Sequence, residues 1–245
     1  MKILSVSTAT SNLSVALNDS QKIIAEKNEV DKRNHSEHLD PLIDEILKDN
    51  QLTLQDIDRF AVAIGPGSYT GLRIGITTIK MFASILHKDV VGISTLQALA
   101  KSASGDDLIV TALDARNDNY FAAAYVLDKN QIPQNVIPDG HYHIDTLLQA
   151  IKDYLKENDR HLLLLGSGLD KQEDKIKALG VDFAYGKDEQ MGVHAGLIGQ
   201  LAETAEPVDP DKLLPKYLRR TQAEVDWHKK TGKPFGPDSD YVEEV

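Results

Sequence analysis

The densest chemical signal in the chain is Gly65-Pro66-Gly67-Ser68-Tyr69-Thr70-Gly71-Leu72-Arg73-Ile74-Gly75. It follows the apolar run Phe60-Ala61-Val62-Ala63-Ile64, which reads as a buried strand. It precedes residues 76–88, which hold no Gly or Pro and read as a helix. A strand that turns through glycines into a helix presents the helix's first N–H groups to the loop, which is the chemistry of an anion cradle. The spacing is neither that of a Walker loop nor that of a dinucleotide-binding turn. As residue types, these glycines serve a tight turn and a close helix crossing as well as they serve a phosphate. Other candidates for chemistry are sparse. His35 and His38 sit one helical turn apart, with only Glu37 and Asp40 nearby and no third ligand in register. We therefore expect no metal site. Asp114 is a lone carboxylate with no second acid spaced for general acid–base work.

The elements around these residues read as an α/β protein. Residues 3–6 and 13–17 form two strands around the polar turn Ser7-Thr8-Ala9-Thr10-Ser11-Asn12, and residues 23–28 add a third. Asn34 and Glu37 are spaced as a capping box. Behind them Leu39, Leu42, Ile43, Ile46 and Leu47 form one apolar helical face. In the helix after the glycine loop, Gly71, Gly75, Thr78 and Ser84 are small residues at near-helical spacing, facing either their own sheet or a partner. Residues 108–116 open a second unit, again strand, polar turn, strand, so that Asp114 echoes Ser7. This weak repeat predicts two duplicated lobes. Residues 130–143 read as a loop or ragged edge strand, residues 145–157 as an amphipathic helix, and Gly166-Ser167-Gly168 as a second strand-to-glycine turn. Residues 193–205 read as a further helix.

The chain has 245 residues and a formal net charge of -11, so its overall field does not favour nucleic acid. With no cysteine there are no disulfides, thiolate metal sites or Cys nucleophile. The only basic stretch is 211–233, with seven Lys/Arg against three Asp/Glu. The N-terminal segment is too short for a secretory leader and no apolar run is long enough to span a membrane, so a cytoplasmic protein is expected.

The glycine stretch, with Asn34-His35-Ser36-Glu37-His38-Leu39, Leu113-Asp114-Ala115-Arg116 and Pro215-Lys216-Tyr217-Leu218-Arg219, resembles the TsaB family, also called YeaZ. The resemblance implies a degenerate actin-like ATPase fold: two ribonuclease H-like lobes, each a mixed sheet flanked by helices. It places the first lobe at 1–104, joined by a returning helix at about 193–206, the second at 105–192, and a partly disordered extension at 207–245. It implies a scaffold and activator that is not catalytic on its own and carries no cofactor. The implied partner TsaD transfers a threonylcarbamoyl group to the adenosine next to the anticodon of tRNAs reading codons that begin with A. TsaE joins the pair, tRNA is met through the complex, and the lone protein is a homodimer. The alternatives are a self-acting ATPase or peptidase, or a tRNA-binding module using the basic stretch. The partner surface is expected at His35, His38, Leu39, Leu42, Ile43 and Ile46 on one helix. On the next it is expected at Gly71, Arg73, Ile74, Gly75, Thr78 and Phe82. Residual nucleotide-site loops would comprise Ser7, Thr8, Gly65, Pro66, Gly67, Ser68, Asp114, Arg116, Gly166 and Gly168. Ser7 stands where the family commonly has the phosphate-loop Asp, which argues against nucleotide. Gly75→Leu is expected to disrupt pairing with little loss of fold.

Overall fold

The alternating apolar residues at the N-terminus build β1 (Lys2–Ser7), β2 (Asn12–Asp19) and β3 (Lys22–Val30) as an antiparallel meander. A computed structural model describes residues 1–30, 34–219, 227 and 230–232. α1 (His35–Asp49) then crosses over to β4 (Arg59–Gly65), which pairs parallel to β1 with Ile3 opposite Arg59. α2 (Tyr69–Leu86) leads to β5 (Asp89–Ser94), parallel to β4, and α3 (Thr95–Ala100) follows. The sheet order is β3-β2-β1-β4-β5.

The second unit repeats this plan. β6 (Leu108–Asp114), β7 (Asn119–Leu127) and β8 (Pro133–His143) form a meander. α4 (Ile144–Glu157), β9 (Leu162–Gly166), α5 (Glu173–Lys177) and β10 (Phe183–Tyr185) complete it, with β9 parallel to β6 and β10 parallel to β9. Its order, β8-β7-β6-β9-β10, matches the first sheet strand for strand. Ser7 and Asp114 end the equivalent strands β1 and β6. The molecule is a duplicated ribonuclease H-like protein.

Each lobe packs its own apolar core, and α3 wedges between them with Leu96, Ala98, Leu99 and Ala100 fully buried. The face of the second sheet that carries Ile109, Ala123 and Tyr125 belongs to the same core as the first lobe. Of the two readings for residues 130–143 the ragged edge strand holds: Gln134, Asn135 and Gly140 find ladder partners on β7, with two shifts of register between them. α2 begins at Tyr69, well before the first residue expected, because Ser68 caps it by accepting from the Gly71 amide. Asn34 does not cap α1 with its side chain; its backbone carbonyl accepts from the Glu37 and His38 amides at 2.9 and 3.1 Å. Residues 31–33, 220–226, 228, 229 and 233–245 lie outside the described residues, and with them much of the basic stretch and the expected disorder. No helix among the described residues is long and apolar enough to cross a membrane.

α6 (Ala195–Ala202) returns to the first lobe and lies on β1 and β2. Ser5 Oγ donates to the Ala195 carbonyl at 2.7 Å, and Asn18 Nδ2 to the Gly196 carbonyl at 2.9 Å. At the start of α6, Glu26 on β3 accepts from the Gly196 amide at 3.0 Å and faces His194 Nδ1 at 3.4 Å. The hydrogen bond to Glu26 raises the His194 pKa against the opposing effect of burial. Burial pushes Glu26 up, but His194, the Gly196 amide and Ser14 together hold it below the ordinary carboxylate value. The His194 contribution is complete below its ordinary value of 6.5 and is lost as pH rises through its raised folded value. The Glu26 contribution is complete above 4.5 and is lost as pH falls through its depressed folded value. Both act together between those limits. His194→Gln is expected to lower stability by about 1 kcal/mol at pH 5.5 and to flatten the pH profile of thermal unfolding. An unchanged profile would rule out this pair as the clamp on α6.

Candidate functional site

The two sheets meet at a cleft of about 560 Å³. From the first lobe it is lined by the turn after β1 (Thr10, Ser11, Asn12), by His35, and by the start of α2 (Gly67, Ser68, Thr70, Gly71, Ile74). From the second come Leu113, Asp114, Phe121 and Ser167. The glycine loop therefore reaches the cleft, as its position after a strand predicts. Ser7 does not line it; this residue is fully buried.

The turn after β1 lies directly on the glycine loop. The Ser68 amide donates to the Ala9 carbonyl at 2.7 Å, and Thr8 Oγ1 donates to the Gly71 carbonyl at 2.6 Å. A Cβ on Gly67 would collide with the Ala9 carbonyl oxygen, one on Gly71 with the Thr8 carbonyl oxygen, and one on Gly75 with Thr8 Oγ1. The glycines are there for this backbone approach. They face the turn of their own lobe, so the expected close crossing with a partner helix at Gly71 and Gly75 is corrected. Both residues are buried.

In the second lobe Asp114 forms an ion pair with Lys171 Nζ at 2.7 Å and accepts from the Arg116 amide at 2.8 Å. Lys171 foremost, then that amide, hold its carboxyl below the usual range. Asp114 thus pairs with Lys171 rather than with the Arg116 side chain. Gly166 takes φ +99° and packs on the Ala112 carbonyl, the counterpart of the first lobe's close approach. Tyr120 OH donates to the Gly168 carbonyl at 2.9 Å, so this turn too is bonded internally.

The actin-like fold implies a magnesium nucleotide between the lobes, and the residues present do not fit one. The Ser68 amide is taken by Ala9 and the Gly71 amide by Ser68 Oγ, and among the described residues no Lys or Arg lines the cleft and its one lining carboxylate is paired with Lys171. His35 and His38 also part company. His35 is buried with Nε2 2.8 Å from the Thr10 carbonyl, whereas His38 Nδ1 is 2.7 Å from Glu29 on β3. Among the described residues no group of three or more His, Cys, Asp or Glu is placed to hold a metal.

The apolar face of α1 turns inward. Leu39, Leu42, Ile43 and Ile46 are at most 5% exposed and belong to the core of their own lobe. In the single chain these side chains pack on their own lobe, because amphipathic spacing shows that a helix has a buried face and not what buries it, and Ile43 also lines a cleft beside α2. Ile74, Thr78 and Phe82 are half-buried, with Phe82 against Phe60 at 6.0 Å, and Arg73 is exposed. What α2 offers to solvent instead is the row Tyr69, Arg73, Thr77, Met81 and Ile85, four residues apart. Met81 is 46% and Ile85 68% exposed. Beside them an apolar cleft of about 510 Å³ is lined by Ile43, Leu47, Leu52, Leu54, Phe82 and Leu86. One signal in the sequence points to this row. Leu72, Ile76, Ile79 and Ala83 supply the inner stripe, so Met81 and Ile85 are surplus to it.

A duplicated ribonuclease H-like fold with a cleft between its lobes defines the actin-like class. The profile of the family described as "TsaD: tRNA N6-adenosine threonylcarbamoyltransferase" matches residues 22–227. The chain is 33% identical over 229 residues to the tRNA threonylcarbamoyladenosine biosynthesis protein TsaB of Bacillus subtilis, covering 93% of this chain and 98% of that one. It is 36% identical over 135 residues to TsaB of Escherichia coli, covering 54% and 58%. The solved structure of YeaZ from Pseudomonas aeruginosa shares the fold, with a TM-score of 0.74 at 24% identity over 89% of this chain and 99% of that one. The chain belongs to the TsaB (YeaZ) family.

The glycine contacts reverse the expectation for Gly75→Leu. The substitution should lower Tm by about 10 °C, as overpacking against Thr8 and Val62 demands. A folded variant that melts with the parent would refute the contact. Magnesium–ATP at millimolar concentration should move the parent's Tm by less than about 1 °C, and a clear saturable rise would show that the cradle opens.

Proposed function

We propose that this chain acts in tRNA threonylcarbamoyladenosine biosynthesis as a scaffold and activator of a TsaD-type transferase, and not as a catalyst. The observation that carries the reading is the outer row of α2. It sets Tyr69, Met81 and Ile85 at the surface, two of them beside an apolar cleft, in a chain whose interlobe cleft is lined by no Lys or Arg among the described residues. A row of side chains four residues apart is the ridge that a second helix accepts in its groove. The partner is the transferase, with TsaE joining the pair and tRNA reached through the assembly. In the partner's absence a second copy of this chain covers the same row, giving a homodimer. The Bacillus subtilis and Escherichia coli relatives, both named for this biosynthesis, support the assignment.

Light scattering on the chain alone and with its cognate TsaD tests the reading. A homodimer that converts to a one-to-one heterodimer is expected. Met81→Asp and Ile85→Asp should each weaken the heterodimer by at least about tenfold. Their exposure predicts a shift in Tm of less than about 2 °C. Unaltered binding by both variants would place the partner elsewhere.

A further inference from the structure

Residues 213–219 form a strap that crosses from the first lobe to the second. Leu213 is 4% exposed and lies over Gly92 on β5. The Lys216 amide donates to the Ile64 carbonyl near the end of β4 at 2.7 Å. Lys216 Nζ reaches Asp139 of β8 at 3.0 Å, and Arg219 Nη1 reaches the Ala115 carbonyl at 3.3 Å, both in the second lobe. Tyr217 turns the other way, onto α2. Its ring stacks on Tyr69 with centroids 4.8 Å apart, and its hydroxyl accepts from Arg73 Nε at 3.0 Å. Arg73 in turn lies 4.3 Å from the centroid of the Tyr69 ring.

Asp139 is the anchor. Its side chain is 6% exposed and accepts from three donors of different origin: Tyr125 OH at 2.6 Å from its own lobe, Ser94 Oγ at 2.6 Å from the first lobe, and Lys216 from the strap. Such a carboxylate is costly to bury unless every bond is made, so it holds the strap and both lobes in one arrangement. Tyr217 and Leu214 of the strap, together with Tyr69, Met81 and Ile85 of α2, account for five of the ten exposed large apolar side chains among the described residues. The strap and the α2 row form one continuous surface where Tyr217 meets Tyr69.

We propose that Tyr217 is part of the surface that receives the transferase partner, and that Lys216, tied to Asp139, is the positioning residue that holds it there. The inference rests on the partner reading above. Its occupant is an apolar helix face of that partner, with an acceptor group for Arg73. A surface ring fixed before the encounter loses little freedom on binding, and this preorganisation is what the Lys216–Asp139 contact supplies. The arrangement makes partner affinity depend on an ion pair that lies in the strap and does not face the partner.

The test compares the full chain with four variants, Tyr217→Ala, Lys216→Met, Lys216→Arg and Met81→Asp, against cognate TsaD by calorimetry. Amide hydrogen exchange of residues 213–219 is read in parallel. Lys216→Met removes one of three donors to the buried Asp139, so Tm is measured for every variant and binding is read well below it. Tyr217→Ala is expected to weaken binding about tenfold and Lys216→Met about fivefold, the latter with faster strap exchange. Lys216→Arg, which keeps the charge toward Asp139, should bind within about twofold of the parent. If Met81→Asp loses binding while Tyr217→Ala and Lys216→Met bind like the parent, the strap has no part in docking and the inference is overturned, although the partner reading stands. If Tyr217→Ala alone weakens binding, Lys216 is not a positioning residue. If the parent itself does not bind TsaD, the partner reading and this inference fall together.

Discussion

The contact on which the rest of the structure depends is the backbone approach between the turn after β1 and the glycine loop. Two carbonyls, those of Thr8 and Ala9, occupy space that a side chain on Gly67 or Gly71 would fill. Hydrogen bonds then tie the turn to the helix start in both directions, from Ser68 to Ala9 and from Thr8 to Gly71. Two consequences follow from one geometry. The Ser68 and Gly71 amides are spent internally, and α2 is held with its glycine side inward. The opposite side of that helix, with Met81 and Ile85, has nowhere to point but outward.

The duplicated lobes resolve the same turn in two ways. In the first the strand ends in Ser7, buried and outside the cleft lining, and the glycine loop packs on the turn. In the second the strand ends in Asp114, which keeps its charge and spends it on Lys171. Neither turn offers a free carboxylate with open space for a cation. Both turns make bonds within their own lobe, and the cleft between them stays open.

Much of the fold was legible because it depends on local pattern. The alternation at 13–17, the glycine punctuation at 65–71 and the echo of residues 3–17 in 108–127 read correctly as strands, a turn and a repeat. Residues 130–143 were harder. Pro133, Pro138 and Gly140 interrupt an edge strand whose hydrogen bonds are supplied by β7, and no local pattern reports a neighbour. The candidate surface divided in the same way. Arg73 was placed on it, but the α1 residues Leu39, Leu42, Ile43 and Ile46 and the glycines of α2 were not outward-facing. The signal for the exposed apolar residues was the excess pair on α2, Met81 and Ile85, not the most regular apolar stripe.

By itself the sequence determined the element types, their order, the two-lobe repeat and the family, since periodicity, turn residues and a specific glycine motif act over a few residues at a time. Only the tertiary structure decided which faces are covered. Thr8 meets Gly71 across 63 residues and Lys216 meets Asp139 across 77. Such meetings arise from sheet order and crossover geometry. They bury one amphipathic face and expose another of like composition, a choice made by what lies opposite each helix and not by the residues of the helix alone.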